Sequence, residues 1–187
     1  LRNFTVGVIG TGKIGETVIK NLSGFGCEIC AHDLYEKESV RAYAKYAPLE
    51  EIYEKCDLIS LHMPLTKDNY HMIGEEAIRR MREGTVLVNT ARGGLVDTRA
   101  LINGIKSGKI AAAGLDVIEN EFGMYYFDRK SDILDKEELA ILRSFPNVIV
   151  TPHMAFYTDE SVSDMVKHSI QSCCLEEAGK ENPWKIF

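Results

Sequence analysis

The residues best suited to chemistry in this sequence follow apolar, strand-like segments, and they include an arginine, several carboxylates and a histidine. Arg92 lies in a glycine-flanked segment, Asp116, Glu119 and Glu121 follow a later apolar run, and His153 comes after a Thr-Pro pair. A guanidinium offers planar donors to a carboxylate or a keto oxygen. An imidazole can donate a proton to an oxygen that becomes a hydroxyl, and a neighbouring carboxylate orients the ring and favours its protonated form. Gathered at one edge of a sheet, these groups suit 2-oxoacid chemistry.

A glycine-rich turn near the start of the chain predicts a nucleotide site. The apolar run that begins at Val6 ends in Gly10-x-Gly12-x-x-Gly15, and an amphipathic helix pattern follows. In a dinucleotide-binding turn, the first glycine permits the bend, the second lets the backbone approach a pyrophosphate, and the third allows close helix packing. The phosphates then lie against N–H groups at the helix N-terminus. A second apolar run ends in Asp33, about 20 residues further on, where a ribose-binding carboxylate belongs. A purely structural turn is the alternative.

Strand and helix patterns alternate along most of the chain. The predicted strands are residues 5–9, 28–32, 58–62, 85–89, 111–115 and 148–150, and the predicted helices are 14–25, 49–55, 75–82, 98–107 and 136–144. The strand segments are continuously apolar, which is typical of parallel strands covered on both faces. Repeated strand–helix–strand units imply right-handed crossovers. The predicted fold is therefore an α/β, doubly wound parallel sheet of the Rossmann type, whose ligands bind at the carboxyl ends of the strands.

Two segments interrupt this alternation. Residues 119–135 form a long predicted loop rich in aromatic side chains. The aromatic group from Phe122 to Phe127 is expected to pack beneath that loop, and lining of a substrate pocket is the alternative. Residues 159–179 read as a long amphipathic helix after the last strand, with an apolar face that includes Val162, Met165 and Ile170.

Composition excludes several classes of function. The chain has 187 residues, 27% of them charged, and a formal net charge of −6, which argues against a nonspecific nucleic-acid surface. No apolar run reaches membrane-spanning length. Cys27 and Cys30 fall in a predicted strand, where positions three apart point to opposite faces, so we predict no metal site there. Reduced thiols and a cytoplasmic location are expected.

The sequence resembles the D-specific 2-hydroxyacid dehydrogenase family from Val6 to about Cys174. Three separated blocks carry the resemblance: Gly10-x-Gly12-x-x-Gly15; Asn89-Thr90-Ala91-Arg92-Gly93-Gly94-x-Val96-Asp97; and Asp116-Val117-x-x-x-Glu121 followed by Thr151-Pro152-His153. Each block is weak alone, but their occurrence in this order is specific. The resemblance implies that Arg92 binds the substrate, that His153 is the general acid and base, and that Glu121 is the acid paired with it. Glu119 is the alternative to Glu121.

The same resemblance implies NAD as the cofactor. Asp116 would hold the nicotinamide carboxamide, and Asp33 would bind the adenosine ribose hydroxyls and repel the 2′-phosphate of NADP. The remaining cofactor contacts that the resemblance implies are Gly10, Gly12, Lys13, Ile14, Gly15, Met63, Pro64, Asn69, Thr90, Ala91 and Arg92. No catalytic or metal-binding role is predicted for His62, His71 or His168, and His62 is expected to pack near the adenine end.

Within the family, residues 70–73 and 155–158 look most like the D-lactate dehydrogenase branch. Residues 24–27 and 126–134 are similar to D-lactate dehydrogenases associated with vancomycin resistance, although those often lack the acid that this chain has at Asp33. The predicted reaction is hydride transfer between nicotinamide and C2 of a small D-2-hydroxyacid, with D-lactate and pyruvate favoured. Alternatives are 2-hydroxyisocaproate, phenyllactate or 2-hydroxyglutarate dehydrogenases, a phosphoglycerate-specific member, and, in another class, an NAD-sensing corepressor.

The resemblance also implies a domain organisation. Residues 1–154 would form the NAD-binding domain, and residues 155–187 would return toward a substrate domain that is mostly absent from this chain. We therefore expect the 187-residue chain to bind NAD but to turn over little 2-oxoacid. The full-length protein is expected to be a homodimer.

Overall fold

The structure is a computed structural model that describes residues 1–125 and 136–185. The predictions for residues 126–135 lie outside the described residues. The chain divides into two compact units, Leu1–Pro152 and His153–Phe187.

The described part of the first unit contains one seven-stranded parallel sheet with the strand order β3-β2-β1-β4-β5-β6-β7. The strands are β1 (Thr5–Ile9), β2 (Glu28–His32), β3 (Lys45–Tyr46), β4 (Leu58–Leu61), β5 (Thr85–Asn89), β6 (Ile110–Leu115) and β7 (Val148–Val150). The helices are α1 (Lys13–Ser23), α2 (Glu38–Arg41), α3 (Leu49–Lys55), α4 (Glu75–Arg80), α5 (Thr98–Lys106) and α6 (Glu137–Ser144), with a 3₁₀ turn at Gly93–Leu95. This confirms the predicted Rossmann-type sheet.

Two apolar clusters cover opposite faces of the sheet. Alternation along β1 sends Val6 and Val8 to the smaller cluster, beside Ile19 of α1, while Ile9 joins the larger cluster. The larger cluster packs beneath α3, α4, α5 and α6. The strand order reverses between β1 and β4, and ligands of open α/β sheets bind at such a point, outside the carboxyl ends of the strands.

The predicted elements match the structure to within two residues at their ends, but two short elements were missed. The helix α2 has four residues and the strand β3 has two. Neither is long enough to show a hydrophobic period.

The expectation that the strands are covered on both faces is wrong for one side of β5 and β7. Val86 and Val88 are only partly buried, and Ile149 is 71% exposed. The described helices of the first unit that pack on β5–β7 lie on the other face, against Leu87 and Ala113.

The second unit contains α7 (Asp159–Glu177). The hydroxyl of Thr158 accepts a hydrogen bond from the Ser161 N–H and caps the helix. No residue along α7 is buried. His168 stacks on Trp184 with ring centroids 4.8 Å apart. Within residues 1–125 and 136–185, no helix is long and apolar enough to cross a membrane.

Candidate active site at the carboxyl edge of the sheet

The glycine turn after β1 has the geometry that its sequence predicts. Gly10 has φ 95°, a left-handed conformation that favours glycine. A Cβ on Gly15 would lie 1.9 Å from the Gly10 carbonyl oxygen, so only glycine allows α1 to approach the turn this closely. Gly12 differs, because a Cβ there would meet no atom within 4 Å beyond its own neighbours and helix backbone. Gly15 therefore allows α1 to pack closely on the turn, whereas Gly12 borders open space.

The N-terminus of α1 fits the pyrophosphate of a dinucleotide. Gly12 is the N-cap residue and provides no side-chain hydrogen bond to the first turn. The first helical N–H groups thus face the open space in front of Gly12, where anions are favoured. Lys13 and Ile14, the next two residues, are both exposed.

Asp33 follows β2 directly, and its carboxylate is held against the glycine turn. Its Oδ2 accepts hydrogen bonds from the Thr11 N–H (2.6 Å) and the Thr11 hydroxyl (3.1 Å), and its Oδ1 accepts from the Tyr35 N–H (3.2 Å). Partial burial alone would raise the pKa of Asp33, but these donors lower it below its ordinary value. Asp33 is therefore held as an anion against the glycine turn, which is the charge state that a ribose-binding carboxylate requires.

The loop after β5 holds Arg92 through its backbone. Asn89, buried at the end of the strand, donates from Nδ2 to the Arg92 carbonyl (2.9 Å) and accepts at Oδ1 from the Ala91 N–H (3.1 Å). The Arg92 side chain is exposed, and its Nη1 donates to the Ala91 carbonyl (2.6 Å). A fixed backbone thus carries a guanidinium that solvent and ligands can reach.

The loops after β5 and β6 touch at Gly93. A Cβ on Gly93 would lie 2.0 Å from the Ile118 carbonyl oxygen, so this contact requires glycine. It brings the loop that carries Arg92 against the loop that carries Glu121. The Glu121 carboxylate accepts a hydrogen bond from the Ile118 N–H (3.2 Å). Two of the three predicted catalytic residues therefore lie on adjoining loops.

Asp116 lies at the start of the loop after β6 and is only 5% exposed. Its carboxylate accepts a hydrogen bond from the Thr151 hydroxyl, and its N–H donates to the Asn89 carbonyl. Thr151 immediately follows β7, so these contacts tie together the ends of β5, β6 and β7.

Glu119 has a different environment from Glu121. Its Oε1 accepts from His71 Nε2 (2.6 Å) and from the Tyr70 hydroxyl (3.0 Å), and its Oε2 accepts from the Thr98 N–H (3.0 Å). Burial opposes the charge, but these donors lower the pKa of Glu119 below its ordinary value. The sequence predicted no partner for His71. In the structure Glu119 is one of its partners, and Asp97 Oδ2 lies 3.8 Å from His71 Nδ1. Both carboxylate oxygens of Glu119 are engaged within the first unit.

His153 is the first residue of the second unit and follows Thr151 and Pro152 in the chain. Its backbone has φ 50°, which is uncommon outside glycine and marks a constrained turn.

Other candidate residues have contacts or exposure that the sequence did not predict. The Asn69 side chain donates to the Pro64 carbonyl (2.9 Å) and accepts from the Thr66 N–H (2.7 Å), so it shapes the loop after β4. His62 hydrogen-bonds Ser60 and lies against Gly10 and Gly15, at the glycine turn. The predicted packing of Phe122 is wrong, because its side chain is 97% exposed, whereas Tyr125 packs against the larger cluster.

Comparisons with known proteins identify the family to which this fold belongs. Residues 1–155 match the family described as "D-isomer specific 2-hydroxyacid dehydrogenase, NAD binding domain". An aromatic 2-oxoacid reductase of Clostridium sporogenes is 50% identical over 173 residues, which are 92% of this chain and 52% of that protein. A D-lactate dehydrogenase from Treponema pallidum is similar with a TM-score of 0.95 and 35% identity, covering 100% of this chain and 56% of the other. The NAD⁺-bound D-lactate dehydrogenase from Lactobacillus jensenii has a TM-score of 0.91 and 36% identity over the same shares. The chain thus spans about half the length of the curated relatives it matches.

Proposed function

The chain belongs to the D-isomer specific 2-hydroxyacid dehydrogenase family and carries its NAD-binding domain, and we propose that it is the cofactor-binding part of an enzyme that interconverts 2-oxoacids and D-2-hydroxyacids. The observation that carries this proposal is the contact between Gly93 and Ile118, which joins the loops of Arg92 and Glu121 at the sheet edge that also holds the glycine turn. We assign residues 1–154 to the NAD-binding domain and residues 155–187 to a segment of a substrate domain.

The proposed mechanism divides the work among three side chains. Arg92 binds the substrate carboxylate and polarises its keto group through planar donors. His153 gives a proton to the keto oxygen during reduction and removes it from the hydroxyl during oxidation. Glu121 orients the His153 ring and favours its protonated form, which reduction requires. Bound NADH supplies the hydride that C2 receives.

Glu121 is preferred to Glu119 for the role beside His153 because of what Glu119 already binds. The two Glu119 oxygens accept from His71, Tyr70 and the backbone of Thr98, which fixes them inside the first unit. If the Glu119 carboxylate turned to another partner, the buried Thr98 N–H at the start of α5 would lose its hydrogen-bond acceptor.

The substrate is a small 2-oxoacid, and two candidates are favoured. Pyruvate is supported by the similarity to D-lactate dehydrogenases, and an aromatic 2-oxoacid by the 50% identity to the Clostridium sporogenes reductase. We also propose a homodimer as the assembly of the full-length protein. A cytoplasmic location is supported by the five cysteines, which all lie among the described residues as free thiols.

The test is an assay of NADH oxidation by the full-length protein with pyruvate and with phenylpyruvate, in parallel with the 187-residue chain. We expect the full-length protein to reduce one or both, and the 187-residue chain to bind NADH with little turnover. Arg92→Ala and His153→Ala are expected to lower kcat/KM by at least about 10²-fold, the usual scale for general acid–base catalysis. Arg99→Ala, on the exposed surface of α5, is the matched control. Reduction of neither acid, or full activity of His153→Ala, would overturn the proposal.

A further inference from the structure

A chain of hydrogen bonds runs from the backbone of Lys37 to the Asp33 carboxylate through two hydroxyl groups. The Lys37 N–H donates to the Tyr46 hydroxyl (3.0 Å), the Tyr46 and Thr11 hydroxyls lie 2.9 Å apart, and the Thr11 hydroxyl donates to Asp33 Oδ2 (3.1 Å). These four residues come from the N-cap of α2, the edge strand β3, the glycine turn and the end of β2.

The chemistry of the groups fixes the direction of these hydrogen bonds. An ionised carboxylate only accepts, so the single hydroxyl proton of Thr11 points to Asp33. The Thr11 oxygen must then accept from Tyr46, whose own oxygen accepts from the Lys37 N–H. Thr11 is fully buried, so its hydroxyl has no water with which to replace either partner.

The network constrains both ends of the segment between β2 and α2. Asp33, at the start of the segment, is held by the N–H and hydroxyl of Thr11, and Lys37, at its end, is held by Tyr46. Oδ2 of Asp33 accepts two hydrogen bonds from Thr11, which leaves it little freedom to rotate. Tyr46 is therefore connected to the ribose-binding carboxylate through a single intervening side chain.

We propose that Thr11 and Tyr46 are positioning residues that set the preference of this site for NADH over NADPH, by holding the Asp33 carboxylate in one orientation. The inference rests on the cofactor site described above and extends it to residues outside the contacts that the resemblance implies. Thr11 lies between the first two glycines of the motif, and Tyr46 lies on a strand that the sequence did not predict.

The preference follows from the fixed orientation. A carboxylate that is held in place offers its oxygens to two ribose hydroxyls without loss of conformational freedom on binding. It also cannot turn away from a 2′-phosphate, so the repulsion between like charges stays in full. A carboxylate released from Thr11 can rotate toward solvent, which weakens the ribose hydrogen bonds and relieves the repulsion at the same time.

The experiment is a fluorescence titration of the 187-residue chain with NADH and with NADPH, which measures binding without turnover. We expect Tyr46→Phe to weaken NADH binding about three- to tenfold, the usual effect of removing one hydrogen bond, and to leave NADPH binding unchanged or tighter. Thr11→Val is expected to have a larger effect of the same kind, because it removes the bond to the carboxylate itself. Thr11→Ser, which keeps the hydroxyl, should stay near wild type.

Two controls separate positioning from a general structural role. Tyr43→Phe removes the hydroxyl of an exposed tyrosine between α2 and β3 and should change neither affinity. In the Asp33→Ala background, Tyr46→Phe should have no further effect on either nucleotide, because there is no carboxylate left to position. Circular dichroism melts of every variant check that the fold is retained.

Several results would overturn the inference while leaving the cofactor site intact. These are wild-type NADH affinity in Tyr46→Phe, an equal loss of NADH and NADPH binding, or an effect of Tyr46→Phe that persists in the Asp33→Ala background. Failure of the wild-type chain to bind either nucleotide would instead overturn the cofactor assignment and this inference together.

Discussion

At the scale of single residues, replacing either Gly12 or Gly15 by alanine is predicted to weaken NADH binding, but for different physical reasons. Gly15→Ala would place a Cβ 1.9 Å from the Gly10 carbonyl oxygen, so the turn and α1 must separate. We expect a loss of about 2–4 kcal/mol in the free energy of unfolding, together with weaker NADH binding. Urea unfolding and NADH titration of the variant measure both effects.

Gly12→Ala is the matched comparison. Its Cβ would enter space that no neighbouring atom occupies within 4 Å, and its φ of −60° suits alanine. We expect unchanged stability but at least about tenfold weaker NADH binding, because the methyl group excludes the pyrophosphate from the N–H groups of α1. Unimpaired NADH binding by Gly12→Ala would show that the phosphates do not approach this turn.

Sequence reasoning could single out the candidate residues whose spacing is set within a short stretch of the chain. The glycines and Asp33 have their spacing fixed by one strand–turn–helix–strand unit, so a short window reveals them. Thr11 and Tyr46, or His71 and Glu119, meet only after the chain has folded, because each pair is far apart in sequence. No local pattern marks such pairs, so Glu119 was predicted only as the alternative to Glu121.

At the scale of secondary-structure elements, Glu119 links three segments at the carboxyl edge of the sheet. It accepts hydrogen bonds from the loop after β4, through Tyr70 and His71, and from the Thr98 N–H at the start of α5. A glutamine at this position would place its NH₂ group opposite one of these donors, so that hydrogen bond would be lost. We expect Glu119→Gln to lower the free energy of unfolding by about 1–3 kcal/mol near neutral pH.

The effect of Glu119→Gln is predicted to depend on pH. Because the pKa of Glu119 is lower in the folded protein than its ordinary 4.5, its stabilising effect is complete above that pH and is lost as the pH falls through the folded-state value. Urea unfolding between about pH 7 and pH 3 should show wild type and variant converging in acid. Glu138→Gln, in an exposed ion pair on α6, is the control and should differ little from wild type throughout. A constant difference between Glu119→Gln and wild type would contradict a charge-based role.

The elements themselves were predictable where they were long and apolar. The strands β1, β2, β5 and β7 carry continuous apolar runs, and their ends were predicted correctly. The short elements α2 and β3 are specified by long-range contacts, such as the parallel pairing of Ala31 with Tyr46, and not by their own composition. That pairing brings the Tyr46 hydroxyl to the glycine turn, so a missed element carries part of the proposed cofactor preference.

At the scale of the whole molecule, the two units differ in how many of their side chains are buried. The first unit contains both apolar clusters, whereas no residue along α7 is buried. Within the second unit, α7 is held by its own backbone hydrogen bonds, by the Thr158 cap and by the stack of His168 on Trp184, so we expect it to open more readily than the buried strands of the first unit. Amide hydrogen exchange should therefore be fast along α7 and slow in β1, β4 and β5. Equally slow exchange in α7 would contradict this division.

Cofactor binding is predicted to raise the thermal stability of the chain, because a ligand that binds the folded state shifts the unfolding equilibrium by mass action. The predicted cofactor contacts, from Gly10 to Asp116, all lie in the first unit, so that unit should respond. At an NADH concentration about 100-fold above the dissociation constant, the gain is about 2.7 kcal/mol, which corresponds to a rise in Tm of about 5–10 °C. Differential scanning calorimetry measures this rise directly.

The same concentration of NADPH, or NADH with Asp33→Ala, should give a clearly smaller rise in Tm. The 2′-phosphate of NADPH is repelled by the Asp33 carboxylate, and Asp33→Ala removes the carboxylate that accepts from the ribose hydroxyls. Equal rises with NADH and NADPH in the wild-type chain would show that Asp33 does not set the cofactor preference.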